Sequence, residues 1–145
     1  MSFAKKTMIQ EYINQLNEAQ RAPVLQKDGP MIVIAGAGSG KTRVLTMRIA
    51  YLMSLGVDAF NILSLTFTNK AAREMKKRIS DIVGSNEAKN LWMGTFHSVF
   101  AKILRIEAER LGYPSNFTIY DAQDSVRLIG AIIKEMQLDK DIYKP

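Results

Sequence analysis

The chain has 145 residues, 47% of them hydrophobic and 23% charged, a formal charge of +6 and no cysteine. That composition suits a globular domain with one buried core, and it excludes disulfides and cysteine-ligated zinc or iron–sulfur chemistry. No apolar run approaches the roughly 20 residues of a membrane span and the N-terminus lacks a signal-peptide apolar region, so a cytoplasmic protein without a membrane partner is expected; the positive balance favours a polyanionic partner without identifying it.

Met8, Ile9, Tyr12, Ile13 and Leu16 recur at helical spacing and predict an N-terminal helix, with Lys5 and Lys6 on a solvated face. Asn17, followed three residues later by Gln20, has the form of a capping box and opens a second helix towards Lys27. Pro23 falls inside that helix and is placed to kink it. Asp28, Gly29 and Pro30 turn the chain into residues 31–35, a continuous apolar run suited to a strand buried on both faces.

Residues 35–42 read AGAGSGKT and stand between that run and a helix-like stretch. Strand, glycine-rich loop and helix, in that order, make a P-loop, the arrangement that binds a nucleoside triphosphate. Gly36, Gly38 and Gly40 allow backbone torsions and close approach that a Cβ would block. The loop N–H groups, those of Ala37 and Ser39 among them, can then converge on phosphate oxygens, with the positive end of a helix behind them. Lys41 reaches the β and γ phosphates as a point charge, and the Thr42 hydroxyl coordinates the Mg2+ that accompanies ATP, so these two are the candidate catalytic residues and Thr42 the candidate metal ligand. Ala35 stands where the strict pattern has a glycine, and a small residue fits there. The competing reading is a glycine-rich turn with a chance Lys-Thr pair.

Val44, Leu45, Ile49, Leu52 and Met53 then mark an amphipathic helix stopped by Gly56, and residues 62–67 an apolar strand. A helix over 70–83 carries Ala71, Ala72, Met75, Ile79 and Ile82 on one face and ends at Gly84. Residues 91–96 read as a third strand. Val99, Phe100, Ile103, Leu104 and Leu111 give a further helix closed by Gly112. Strands alternating with helices imply an α/β fold with a parallel sheet, and ligands in such folds gather at the carboxyl ends of the strands. From Asp121, an expected N-cap, Val126, Ile129, Ile132, Ile133 and Met136 form a helical stripe with no strand after it. It reads as the start of a helical subdomain, in a chain that is itself a fragment.

The stretch TFTNKAAREM at the end of the second strand combines Phe67, Thr68, Asn69 and Lys70 with a basic run of Arg73, Lys76, Lys77 and Arg78. An aromatic beside hydroxyl, amide and ammonium donors suits single-stranded nucleic acid; a capped helix with a solvated basic face and a core phenylalanine is the alternative. Thr95, Phe96, His97 and Ser98 end the third strand in the same way. His97, the sole histidine, is more often a hydrogen-bonding residue than a catalyst or ligand in such a position. Trp92 lies within an apolar strand and is expected in the core.

Together these segments resemble the N-terminal portion of a UvrD/Rep-type superfamily 1 DNA helicase. LNEAQ at residues 16–20 resembles the family's Q motif, AGAGSGKTRVL at 35–45 its motif I, TFTNKAAREM its motif Ia and GTFHS at 94–98 its motif Ib. The resemblance implies that Gln20 recognises the adenine edge and that Arg43, otherwise a solvated first-turn arginine, lies against the base. It implies ATP and Mg2+ on residues 36–42, and a track for single-stranded DNA along Phe67, Thr68, Asn69, Lys70, Thr95, Phe96, His97 and Ser98. It divides the chain into a RecA-like ATP-binding domain 1A over 1–116 and the start of an inserted helical subdomain 1B over 117–145. The parent so implied translocates 3′ to 5′ on single-stranded DNA and unwinds duplex DNA. The family's DExx box and later arginines are not among these residues, so the chain alone is expected to bind nucleotide without efficient hydrolysis. The helicase subunit of a helicase–nuclease (AddA/RecB-like) and a non-catalytic nucleotide- and DNA-binding module remain as alternatives. A nucleotide kinase would require clustered arginines and a lid that the sequence lacks.

Overall fold

The computed structural model describes residues 3–139 and 141–145. The chain forms two compact units, Met1–Lys102 and Ile103–Pro145. In the first, α1 (Phe3–Asn14), α2 (Glu18–Leu25), α3 (Lys41–Ser54), α4 (Asn69–Val83) and the short α5 (Ser85–Ala88) accompany two strands, β1 (Leu63–Thr66) and β2 (Trp92–Thr95). α6 (Phe96–Glu107) runs across the boundary, and α7 (Ala122–Glu135) lies in the second unit.

β1 and β2 are parallel, with Leu63 opposite Trp92 and Thr66 opposite Thr95. α4 is the crossover between them and packs on both, as a parallel pair requires. Its inner face buries Met75, Ile79 and Val83. These meet Ile9, Ile13 and Leu16 from the N-terminal region and Val44, Met47, Ile49, Ala50 and Met53 of α3 in one apolar core. The polar groups inside it are satisfied: the Ser64 hydroxyl donates to Met75 Sδ at 3.3 Å and Thr46 Oγ1 donates to the Thr42 carbonyl at 2.7 Å, which removes the desolvation penalty of an unpaired hydroxyl.

Two sequence expectations change, at residues 31–35 and at Lys5. Residues 31–35 form no strand and join no ladder among the described residues, and Ile32 and Ile34 are 88% and 95% exposed. A strand buried on both faces requires neighbours on either side, and β1 and β2 pair only with each other. Pro23 lies inside α2, as its position in the sequence indicates, and is buried there; its carbonyl accepts from Arg48 Nη1 at 2.7 Å. Lys5 is not merely solvated, since its ammonium donates to the Val83 carbonyl at 2.9 Å and to Glu87 Oε1 at 2.7 Å. That contact ties α1 to the α4–α5 corner and holds the Glu87 carboxyl below its ordinary 4.5, chiefly through the Lys5 hydrogen bond.

In the second unit α6 gives way to a 3-10 turn, Ala108–Leu111, closed by Gly112 at φ +76°. α7 opens on a capping box in which Asp121 accepts from the Asp124 N–H at 2.8 Å and Asp124 from the Asp121 N–H. Ile133 is the buried residue of its stripe, while Val126, Ile129, Ile132 and Met136 are exposed. No described helix is long and apolar enough to cross a membrane.

Candidate nucleotide and nucleic-acid site

The glycine-rich turn is built by torsions that few side chains adopt: φ is +76° at Gly38 and +87° at Gly40. A Cβ on Gly40 would also lie 2.9 Å from Gln20 Nε2 and 4.0 Å from Arg43 Cβ, so Gln20 and Arg43 flank the same glycine. Ser39 Oγ donates to the Gly36 carbonyl at 2.8 Å and closes the turn. Lys41 folds back over it, its ammonium donating to the Ala35 and Gly36 carbonyls at 2.9 and 2.6 Å.

α2, α4 and α7 each begin with a side-chain cap, on Asn17, Thr68 and Asp121. α3 begins on Gly40 with no side-chain cap and no acidic residue in its first turn. Its leading N–H groups and the positive end of its dipole are therefore left for an external anion. The Thr42 hydroxyl, exposed at this end, makes no hydrogen bond among the described residues. An exposed lysine able to exchange two carbonyls for phosphate oxygens, an unengaged threonine hydroxyl and an uncapped helix start together fit ATP with Mg2+. Among the described residues no group of three or more histidine, cysteine or carboxylate side chains forms a metal cluster of its own.

Gln20 is held against this loop from behind. Its N–H is capped by Asn17 Oδ1 at 2.9 Å, whereas its side chain, instead of returning to Asn17 as a capping box would have it, donates to the Ser39 carbonyl at 3.0 Å. Arg21 donates to the Asn14 and Leu16 carbonyls at 3.0 and 2.9 Å and fixes the turn between α1 and α2. Arg48, on α3, donates to the Pro23, Gln26 and Lys27 carbonyls and clamps the end of α2 to α3, a cation at a helix C-terminus. Nothing in the sequence marks Arg21 or Arg48, because the carbonyls they reach come together only in the fold. Arg43 also lines a cleft of about 240 Å³ with Tyr12, Gln15, Thr46, Met47 and Arg78.

The register of β1 against β2 sets the second group of expected site residues side by side, since Thr66 and Thr95 are partners, β1 reaches α4 through Phe67 and Thr68, and β2 leads directly into α6. Phe67 is 93% exposed and Phe96 51% exposed. Phe67 is thus at the surface and not in the core. Thr68 is engaged, its hydroxyl accepting from the Ala71 N–H at 3.2 Å as the cap of α4. Thr95 and Ser98 are engaged with each other: Ser98 Oγ accepts from the Thr95 N–H at 3.0 Å and Thr95 Oγ1 accepts from the Ser98 N–H at 3.2 Å. A Cβ on Gly94 would lie 2.7 Å from that Ser98 Oγ and 2.9 Å from Val99 Cγ2, so glycine is what lets α6 start tight against β2. Asn69, Lys70 and His97 are exposed, and their side chains make no hydrogen bond or ion pair among the described residues.

A glycine-rich loop leading into a helix, followed by a βαβ unit with aromatics at its strand tips, defines a mixed α/β protein carrying a P-loop sequence. The chain belongs to the UvrD/REP helicase N-terminal domain family, whose model matches residues 16–145. It is 47% identical over 134 residues to the ATP-dependent DNA helicase PcrA of Staphylococcus aureus (strain Mu50 / ATCC 700699), an alignment covering 92% of this chain and 18% of that protein. It is 48% identical over 136 residues to the PcrA of Bacillus subtilis (strain 168), covering 93% of this chain and 18% of that one. The chain thus spans about a fifth of the length of these relatives.

Proposed function

We propose that this chain is the ATP-binding and DNA-contacting N-terminal part of an ATP-dependent DNA helicase, with residues 1–116 as its RecA-like domain 1A and 117–145 as the beginning of 1B. The observation that carries the reading is the uncapped start of α3 beneath Lys41 and the glycine turn. In this reading the N–H groups of Gly36, Ala37, Gly38, Ser39 and Gly40 cradle the phosphates, and Lys41 leaves the Ala35 and Gly36 carbonyls to neutralise them. Thr42 is the protein's ligand for Mg2+, which when bound supplies charge stabilisation at the β and γ phosphates. Gln20 and Arg43, flanking Gly40, orient the adenine, although Gln20 must first exchange its bond to the Ser39 carbonyl.

Single-stranded DNA passes over the tips of β1 and β2. Phe67 offers a stacking face, Asn69, Lys70 and His97 offer donors, and Phe96 lines the path. Thr68, Thr95 and Ser98 act there less as contacts than as the caps that fix the starts of α4 and α6. The parent enzyme translocates 3′ to 5′ and unwinds duplex DNA. The chain alone binds nucleotide with little turnover in this reading, since the family's DExx box is not among its residues.

The test is titration of the chain with ATP and Mg2+ by calorimetry, for wild type and Lys41→Ala. Binding by the wild type and its loss in the variant are expected; equal affinity would overturn the assignment of the loop.

A further inference from the structure

A groove of about 500 Å³ runs beside β2, lined by Lys76 of α4, Lys89 and Asn90 after α5, Trp92 of β2, and Lys102 of α6, with Phe60 at one side. Lys76, Lys89 and Lys102 are exposed, and no carboxylate lines the groove. None of the three ammonium groups has an acidic partner among the described residues. Lys102 Nζ instead sits 4.8 Å from the centroid of the Trp92 ring. Trp92, expected in the core, is half-buried and forms part of the groove wall.

The groove does not stand alone. Lys76, Met93 and Ser98 also line a smaller adjoining hollow with Asn69, Arg73 and Gly94, so one basic surface runs from the tips of the strands to the far end of β2. Four residues of strand extend about 13 Å, room for two to four nucleotides of a single strand.

We propose that this groove is a further binding site for single-stranded nucleic acid, extending the path beyond the strand tips. Lys76, Lys89 and Lys102 hold successive phosphates and Trp92 offers its ring to a base. The proposal rests on the reading of the strand tips as a DNA surface and adds the residues of the β2 edge to it. Phosphate is favoured over a carboxylate-rich peptide because an aromatic face among unpaired ammonium groups serves a base and its backbone together, and because the basic surface is continuous with Asn69 and Arg73. On binding, Lys102 exchanges the Trp92 ring for a phosphate and a base takes its place.

Trp92 is the only tryptophan in the chain, so its emission reports on this groove and nowhere else. The experiment titrates the 145-residue chain with a single-stranded oligothymidylate, following Trp92 emission together with the anisotropy of the labelled strand across a salt series. Wild type, a Lys89→Gln/Lys102→Gln double variant, Lys102→Arg and Phe67→Ala are compared, with thermal melting to establish that each is folded.

The expected result is a change in Trp92 emission on binding and a salt slope that shrinks by about 0.7 for each lysine removed, with Lys102→Arg close to wild type. Binding that is weakened by Phe67→Ala but leaves Trp92 emission silent, with an unaltered salt slope in the double variant, would overturn the groove and leave the strand-tip reading standing. Absence of any binding by the wild type would overturn both. A Trp92 response to polyglutamate equal to that for the oligonucleotide would overturn the nucleic-acid assignment in favour of an acidic polypeptide.

Discussion

Two residues of the TFTNKAAREM stretch separate fold from function. Phe67 packs against almost nothing, so Phe67→Ala is expected to leave the melting temperature unchanged. It should weaken single-stranded DNA binding by the stacking contribution, about 1–3 kcal/mol, as read by anisotropy titration; unchanged affinity would remove Phe67 from the DNA path. Thr68 behaves in the opposite way. Its hydroxyl caps α4, and Thr68→Ala is expected to cost about 1 kcal/mol in chemical denaturation, with Thr68→Ser retaining most of it. A stability loss in neither would mean that the Ala71 N–H finds another acceptor.

Among the elements, α1 is joined to the α4–α5 corner by the contact of Lys5 with Glu87 and the Val83 carbonyl. Because the folded state lowers the Glu87 pKa, the pair supports the fold above the ordinary carboxylate range, and acidification through the lowered pKa removes that support. Glu87→Gln should therefore melt slightly below wild type at neutral pH, the two curves converging as the pH falls past the lowered value; a gap that widens in acid would overturn this account. The effect is small because the pair is well solvated. The longer helices were legible in the sequence, since periodicity, Asn17 and Asp121 as caps, and Gly84 as a stop are local signals; the short α5 was not read, and α6 gives way to a 3-10 turn at Ala108 before Gly112 closes it. The strands at 63–66 and 92–95 were legible to within a residue or two, Phe96 being taken by α6. The burial of residues 31–35 was not, because an apolar run states what it can cover and not whether a neighbour is present. The clamps of Arg21 and Arg48 and the place of Lys5 were equally invisible, being contacts between segments distant in sequence.

At the scale of the whole molecule, the P-loop is supported from one side only. α2, held by Arg48, backs it through Gln20, whereas residues 31–35, which lead into it, lack a ladder. Without ladder partners, little among the described residues besides the Lys41 contact to the Ala35 carbonyl holds that segment in place. A longer polypeptide of the parent is expected to bind ATP more tightly and to show DNA-stimulated turnover that the 145-residue chain does not; turnover by the short chain alone would mean that its catalytic groups are already complete. The bare edge at residues 31–35 has one more consequence, for handling the protein in solution. The amide and carbonyl groups of residues 31–34, flanked by the exposed Ile32 and Ile34, join no ladder among the described residues and are a template on which another copy can add as a strand. Self-association that grows with concentration is the expected outcome in light scattering of the isolated chain, and a charged residue in place of Ile34, which is 95% exposed, is expected to reduce it.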